Sequence, residues 1–270
     1  MDKEELKWIV ANPDHIPGIF NYCDRWCERC LYTARCANFA LGQTQFGGAA
    51  DKAVSTREFW EKLKEVFEMT TVLLREVAEA RGADPAPAQD APARPRRGGG
   101  AGRHACCAAA MEYIRRADTW FKGAKALFKR RQKELREEAA LGAEPVDLAR
   151  RAGVINDAVE MIHWYQHQIY VKLMRAVSGR MEAEGDPDPV HISDADGSAK
   201  VALLGIDNSL AGWGVLYRDM PEEADAILSI LALLDRLRKD VEHHFPAARA
   251  FVRPGIDMGD SPVPDEKKGT

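Results

Sequence analysis

The run Cys23-Asp24-Arg25-Trp26-Cys27-Glu28-Arg29-Cys30, followed by Cys36, constrains this chain more than any other stretch. Four of the six cysteines fall inside fourteen residues at C-x3-C-x2-C-x5-C spacing. Thiolates held so close repel unless a cation neutralises them, and zinc or an iron–sulphur cluster is the usual soft partner. The spacing therefore predicts that Cys23, Cys27, Cys30 and Cys36 converge on one metal centre. Zinc sites commonly take two short cysteine pairs a dozen or more residues apart, whereas clusters often take three cysteines from one compact run. A [4Fe-4S] cluster is accordingly expected ahead of Zn2+, with Arg25, Arg29 and Arg35 able to offset the negative charge of either.

Two readings without a metal stay open. If the stretch is helical, Cys23, Cys27 and Cys30 share one face and are small core residues. Disulfides are the other. The opening Met1-Asp-Lys-Glu-Glu-Leu-Lys is too polar for a signal peptide, which points to a cytoplasmic chain, where persistent disulfides are rare.

Cys23-x3-Cys27-x2-Cys30 resembles the cluster motif of radical S-adenosylmethionine enzymes, in which three cysteines leave one iron open for the cofactor. The resemblance implies a [4Fe-4S] cluster. It does not carry the family's chemistry over, because the pattern downstream lacks alternating strands and helices and Cys36 offers a fourth thiolate.

A chain of 270 residues with 46% hydrophobic content buries a substantial core. Net charge of -4 and a pI near 6.0 give no general attraction to nucleic acid, and no apolar run is long enough for a membrane span. Neither partner is expected. Cys106 and Cys107 stand apart from the first run as outlying ligands, a redox pair or packing residues, the last favoured because adjacent side chains on a helix diverge.

In chain order, residues 1–54 form a cysteine-rich, metal-binding cap, in which Asn12-Pro13 and Ile16-Pro17-Gly18 break any helix before the cysteines. His15 is a possible extra ligand there. A helical bundle follows over 55–253, and 254–270 is a polar tail. Ser55-Thr-Arg-Glu58 matches a capping box, and Leu63, Val66, Phe67, Leu74 and Val77 give the first bundle helix one buried face. Residues 81–103, rich in Pro, Gly and Ala, are expected to be disordered. A second helix covers about 104–141, with Lys129 to Lys133 salt-bridged to Glu134, Glu137 and Glu138 on a solvent face.

The third helix, about 145–181, carries Ile155, Val159, Ile162, Ile169 and Leu173 as its core stripe, with Glu160, His163 and His167 alongside. Glu160-x-x-His163 resembles the Glu-x-x-His element of ferritin-like di-iron carboxylate proteins, which implies two metal ligands from one helix. After a polar turn, where Asp194 and Asp196 read as helix caps, a buried helix covers 201–217, and Gly205, Gly212 and Gly214 let neighbours approach. Asp207 lies inside that apolar run, so it is expected either to pair with Lys200 or Arg218 or to be a metal ligand. Pro221-Glu222-Glu223 then opens the last helix.

The expectation is thus an all-α bundle of about five long helices with an N-terminal metal-binding segment. Walker, dinucleotide and G-x-S-x-G signatures are absent. The first functional reading is a four-cysteine iron–sulphur or zinc centre with a structural or redox- or metal-sensing role, the bundle serving an unidentified protein partner. The alternative is a ferritin-like oxidoreductase with a second metal ion held by Glu160, His163, His167 and Asp207.

Overall fold

The computed structural model describes residues 3–47, 57–82, 98–185 and 189–257, and among these there is no strand. The helices are α1 (Lys3–Ala11), α2 (Ala37–Phe46), α3 (Arg57–Ala80), α4 (Gly98–Ala101), α5 (Ala105–Gly123), α6 (Lys125–Ala140), α7 (Pro145–Gly185), α8 (Pro189–Asp219) and α9 (Ala224–His244). The all-α class holds, but the described helices outnumber the five expected. One reason is a break at Gly123–Ala124, which divides the expected second helix into the largely buried α5 and the exposed α6. No described helix is long and apolar enough to cross a membrane.

The chain divides into two compact units, Met1–Pro95 with Arg253–Thr270, and Arg96–Val252. In the first, Leu6, Ile9, Ile16 and Ile19 form a small apolar centre. Gln45 of α2 is buried and donates to the Lys62 carbonyl of α3 at 3.1 Å, and Lys3 pairs with Glu76. The apolar stripe of α3 is not covered as its periodicity predicts. Phe67 is 65% exposed, and Leu74 and Val77 are also exposed. The capping box at Ser55–Glu58 lies outside what is described. Part of the expected tail is ordered: Gly255, in left-handed backbone (φ 68°), lies against Ile16.

The second unit is a bundle of α5, α7, α8 and α9, with α7 and α8 forming its longest packed pair. Ile162, Ile169 and Leu173 of α7 meet Leu203, Ile206, Trp213 and Leu216 of α8 in a fully buried core, completed by Tyr113, Ile227 and Leu234. The close approach depends on two glycines. A Cβ at Gly205 would lie 3.1 Å from Ile169, and one at Gly212 would lie 3.1 Å from the Ala158 carbonyl oxygen. Gly214 faces open space and has no such role.

Three local expectations change. Residues 83–97 of the expected disordered stretch lie outside the described residues, but Gly98–Ala101 is helical and Ala101 is fully buried. Helix α8 begins at Pro189, so Asp194 and Asp196 sit inside it and cap nothing. They pair instead with Arg175 and Arg180 across the α7–α8 hairpin. The basic run of α6 pairs with Glu134 and Glu137, whereas Glu138 pairs with Arg151 of α7, and Arg131 also reaches Asp219 with a two-point contact at 2.7 and 3.1 Å.

Candidate metal centre

Between Ile16 and Cys36 the chain forms no α-helix, only short 3-10 turns at Ile19–Asn21, Cys27–Arg29 and Thr33–Arg35. The single buried helical face considered for Cys23, Cys27 and Cys30 is therefore not what this segment makes. Its path follows from local hydrogen bonding. Asp24 Oδ1 accepts from the Trp26 N–H at 3.1 Å, an Asx turn. Trp26, at φ -82° and ψ 70°, is the centre of an inverse γ-turn in which the Cys27 N–H donates to the Arg25 carbonyl. Arg25 itself has φ 59°, a conformation that costs a residue with a Cβ and that no other described non-glycine residue adopts.

The outcome is a small recess of about 30 Å³ lined by Cys23, Cys27, Cys30 and Cys36, with Phe20, Trp26, Tyr32 and Phe39 among its apolar walls. All four cysteines are half-buried and none is in a disulfide. Burial raises the Cys27 thiol above its ordinary value, and Cys23, Cys36, Glu28 and Cys30 raise it further. Ionising these thiols together thus needs a compensating cation. The Tyr32 N–H donates to Cys30 Sγ at 3.4 Å, a contact that stabilises a thiolate ligand. Arg29 stacks over Trp26 with its guanidinium carbon 4.3 Å from the ring centre, keeping a positive charge beside the recess.

A tetrahedral zinc ion with bonds of about 2.3 Å draws its sulphurs to within about 3.8 Å of one another. No three of these four sulphurs lie mutually within 4.8 Å. The four thiols thus share one recess without converging as tightly as a bound zinc ion would draw them. His15 is not among the residues lining this recess, and its Nδ1 lies 2.8 Å from the Ile9 carbonyl oxygen at the end of α1.

The residues singled out on the bundle do not converge. Asp207 is 37% exposed at its side chain and accepts from Arg249 at 2.5 and 3.3 Å, with Arg238 at 3.7 Å. Its neighbours in sequence are apolar, yet its own position on α8 faces the turn at Ala248–Ala250. Lys200 instead donates to the Phe251 carbonyl oxygen at 2.5 Å. Glu160 is exposed and accepts from Asn156 at 2.7 Å. His163 rests against Phe121 at 4.2 Å between ring centres. His167 Nε2 lies 3.0 Å from the Gln166 side-chain nitrogen, and that nitrogen also donates to Asp118. Burial lowers the His163 pKa, Asp118 partly restores it, and His167 lowers it again. Glu160, His163, His167 and Asp207 contain no group of three whose ligand atoms lie within 4.8 Å of one another.

One grouping escaped the sequence reading. The ligand atoms of His104, Cys106 and His244 all lie within 4.8 Å of one another. The signal was the pair His104-x-Cys106, but its partner His244 is 138 residues further on and only the packing of α5 on α9 unites them. Cys107 is a buried packing residue as expected, its thiol pushed up to about 11 by burial. No family model matches this chain, and no curated protein or solved structure matches it either.

Proposed function

We infer that Cys23, Cys27, Cys30 and Cys36 hold a [4Fe-4S] cluster that serves as a redox-responsive centre. The observation carrying this reading is that all four cysteines, compactly spaced as cluster ligands often are, line one recess. Half-exposed ligands leave a cluster open to oxidants, which suits a sensing role better than an insulated electron-transfer role. The turns at Cys27–Arg29 and Thr33–Arg35 contain no buried residue, so this segment depends on its metal for order. Cluster loss would loosen it and alter the surface of the first unit. The exposed apolar residues of α3, Phe67, Leu74 and Val77, favour a protein partner as the recipient of that change.

The test is anaerobic purification followed by iron, acid-labile sulphide and zinc analysis. The reading expects a brown protein with about four irons and four sulphides per chain that bleaches in air. A Cys27→Ser variant should lose the iron.

A further inference from the structure

We propose that His104, Cys106 and His244 form a second, separate metal site in the helical unit, one that takes a zinc ion with three protein ligands and one position left to solvent. The two histidine rings stand edge to face with centroids 4.7 Å apart, and the ligand atoms of the three residues lie within 4.8 Å of one another. A tetrahedral ion would draw these atoms somewhat closer, and one imidazole pair with one thiolate is a donor set zinc accepts readily.

The local sequence and fold favour both halves of the complex. His104 is the N-cap of α5, and its Nδ1 accepts from the Cys106 N–H at 3.2 Å. That hydrogen bond leaves Nδ1 unprotonated, and an ion binding at Nδ1 would displace the Cys106 N–H. The exchange loses one neutral cap bond, a small term beside a zinc–thiolate bond. Cys106 is fully buried in the first turn of α5, where the N-terminal end of the helix dipole offsets part of the cost of burying a thiolate. His244 is the last residue of α9, where the C-terminal end of the dipole favours a cation. Burial, with Asp240 one turn before His244, pushes the Cys106 thiol up to about 12, so its proton leaves only as an ion arrives.

Binding forms one Zn–S and two Zn–N bonds and releases the Cys106 proton to water, with no change of oxidation state. Cys106 is wholly covered while His244 is exposed, so the free coordination position opens on the His244 side. Three ligands with an open fourth place match the plan of zinc sites that bind a water molecule or a small anion, and a closed structural site would have four.

The experiment is zinc titration of the full-length, iron-loaded chain under anaerobic conditions, read as bound zinc per chain. Wild type should bind one zinc in addition to its iron. His244→Ala, at an exposed position, should weaken zinc by roughly 100-fold or more while leaving iron unchanged. His104→Asn keeps a helix-capping oxygen and should do the same with helical content intact. Cys27→Ser should lose iron and keep this zinc, which separates the two centres. Equal zinc affinity in wild type and both histidine variants, or no zinc in wild type, overturns the proposal whatever happens to the iron.

Discussion

The indole Nε1 of Trp213 donates to the hydroxyl of Tyr113 at 3.2 Å, joining α8 to α5 at a point where both side chains are wholly buried. Tyr113→Phe leaves the indole N–H without this acceptor in an apolar core. Urea unfolding should show a loss of about 1–3 kcal/mol, the cost of one unsatisfied buried donor. No loss would mean that the indole finds another partner.

The two neighbouring glycines of α8 should respond in opposite directions. Gly212→Ala puts a methyl 3.0 Å from Ile162 and 3.1 Å from the backbone oxygen of Ala158, which cannot turn aside. It should destabilise by about 1–3 kcal/mol despite the better helix propensity of alanine. Gly214→Ala meets nothing and should stabilise by up to about 1 kcal/mol. Thermal unfolding of the pair measures the contrast.

Asp196 is only 9% exposed at its side chain and pairs with Arg180 at 3.1 Å. Burial raises its pKa and Arg180 opposes the rise. A carboxyl with a raised folded pKa contributes most below its unfolded value and loses that contribution as pH climbs through the folded one. Arg180→Met, which leaves the carboxylate buried without its cation, should therefore destabilise at pH 7 by up to about 3 kcal/mol. The deficit should shrink as the solution is acidified toward the range where Asp196 protonates.

The depressed pKa of His163 has the opposite pH signature. Above the ordinary 6.5 the ring is neutral both folded and unfolded and contributes no slope. As pH falls below that value the unfolded chain takes up the proton first, so stability declines until the folded pKa is passed. His163→Gln should flatten this part of the stability profile, and an unchanged slope would show that the ring titrates normally.

Much of this was legible in the sequence because the signals were local. The C-x3-C-x2-C-x5-C run and the Pro17-Gly18 break anticipated a non-helical, cysteine-lined segment, and apolar periodicity anticipated α7, α8 and α9. The failures involve partners remote in sequence. Asp207 looked buried from its neighbours, but the arginine it meets, Arg249, lies 42 residues away. Asp194 and Asp196 looked like caps because the polar stretch before Val201 resembles a turn, whereas arginines of α7 make those charges tolerable inside a helix. His244 could not be linked to Cys106 without the packing of α5 on α9.

The most direct test of the four-cysteine centre is metal and sulphide analysis of anaerobically purified protein alongside its absorption spectrum. The account predicts about four irons and four sulphides per chain, a broad brown absorption that bleaches in air, and loss of both in Cys27→Ser. A colourless protein, with zinc on the four cysteines or with no metal there at all, would contradict it.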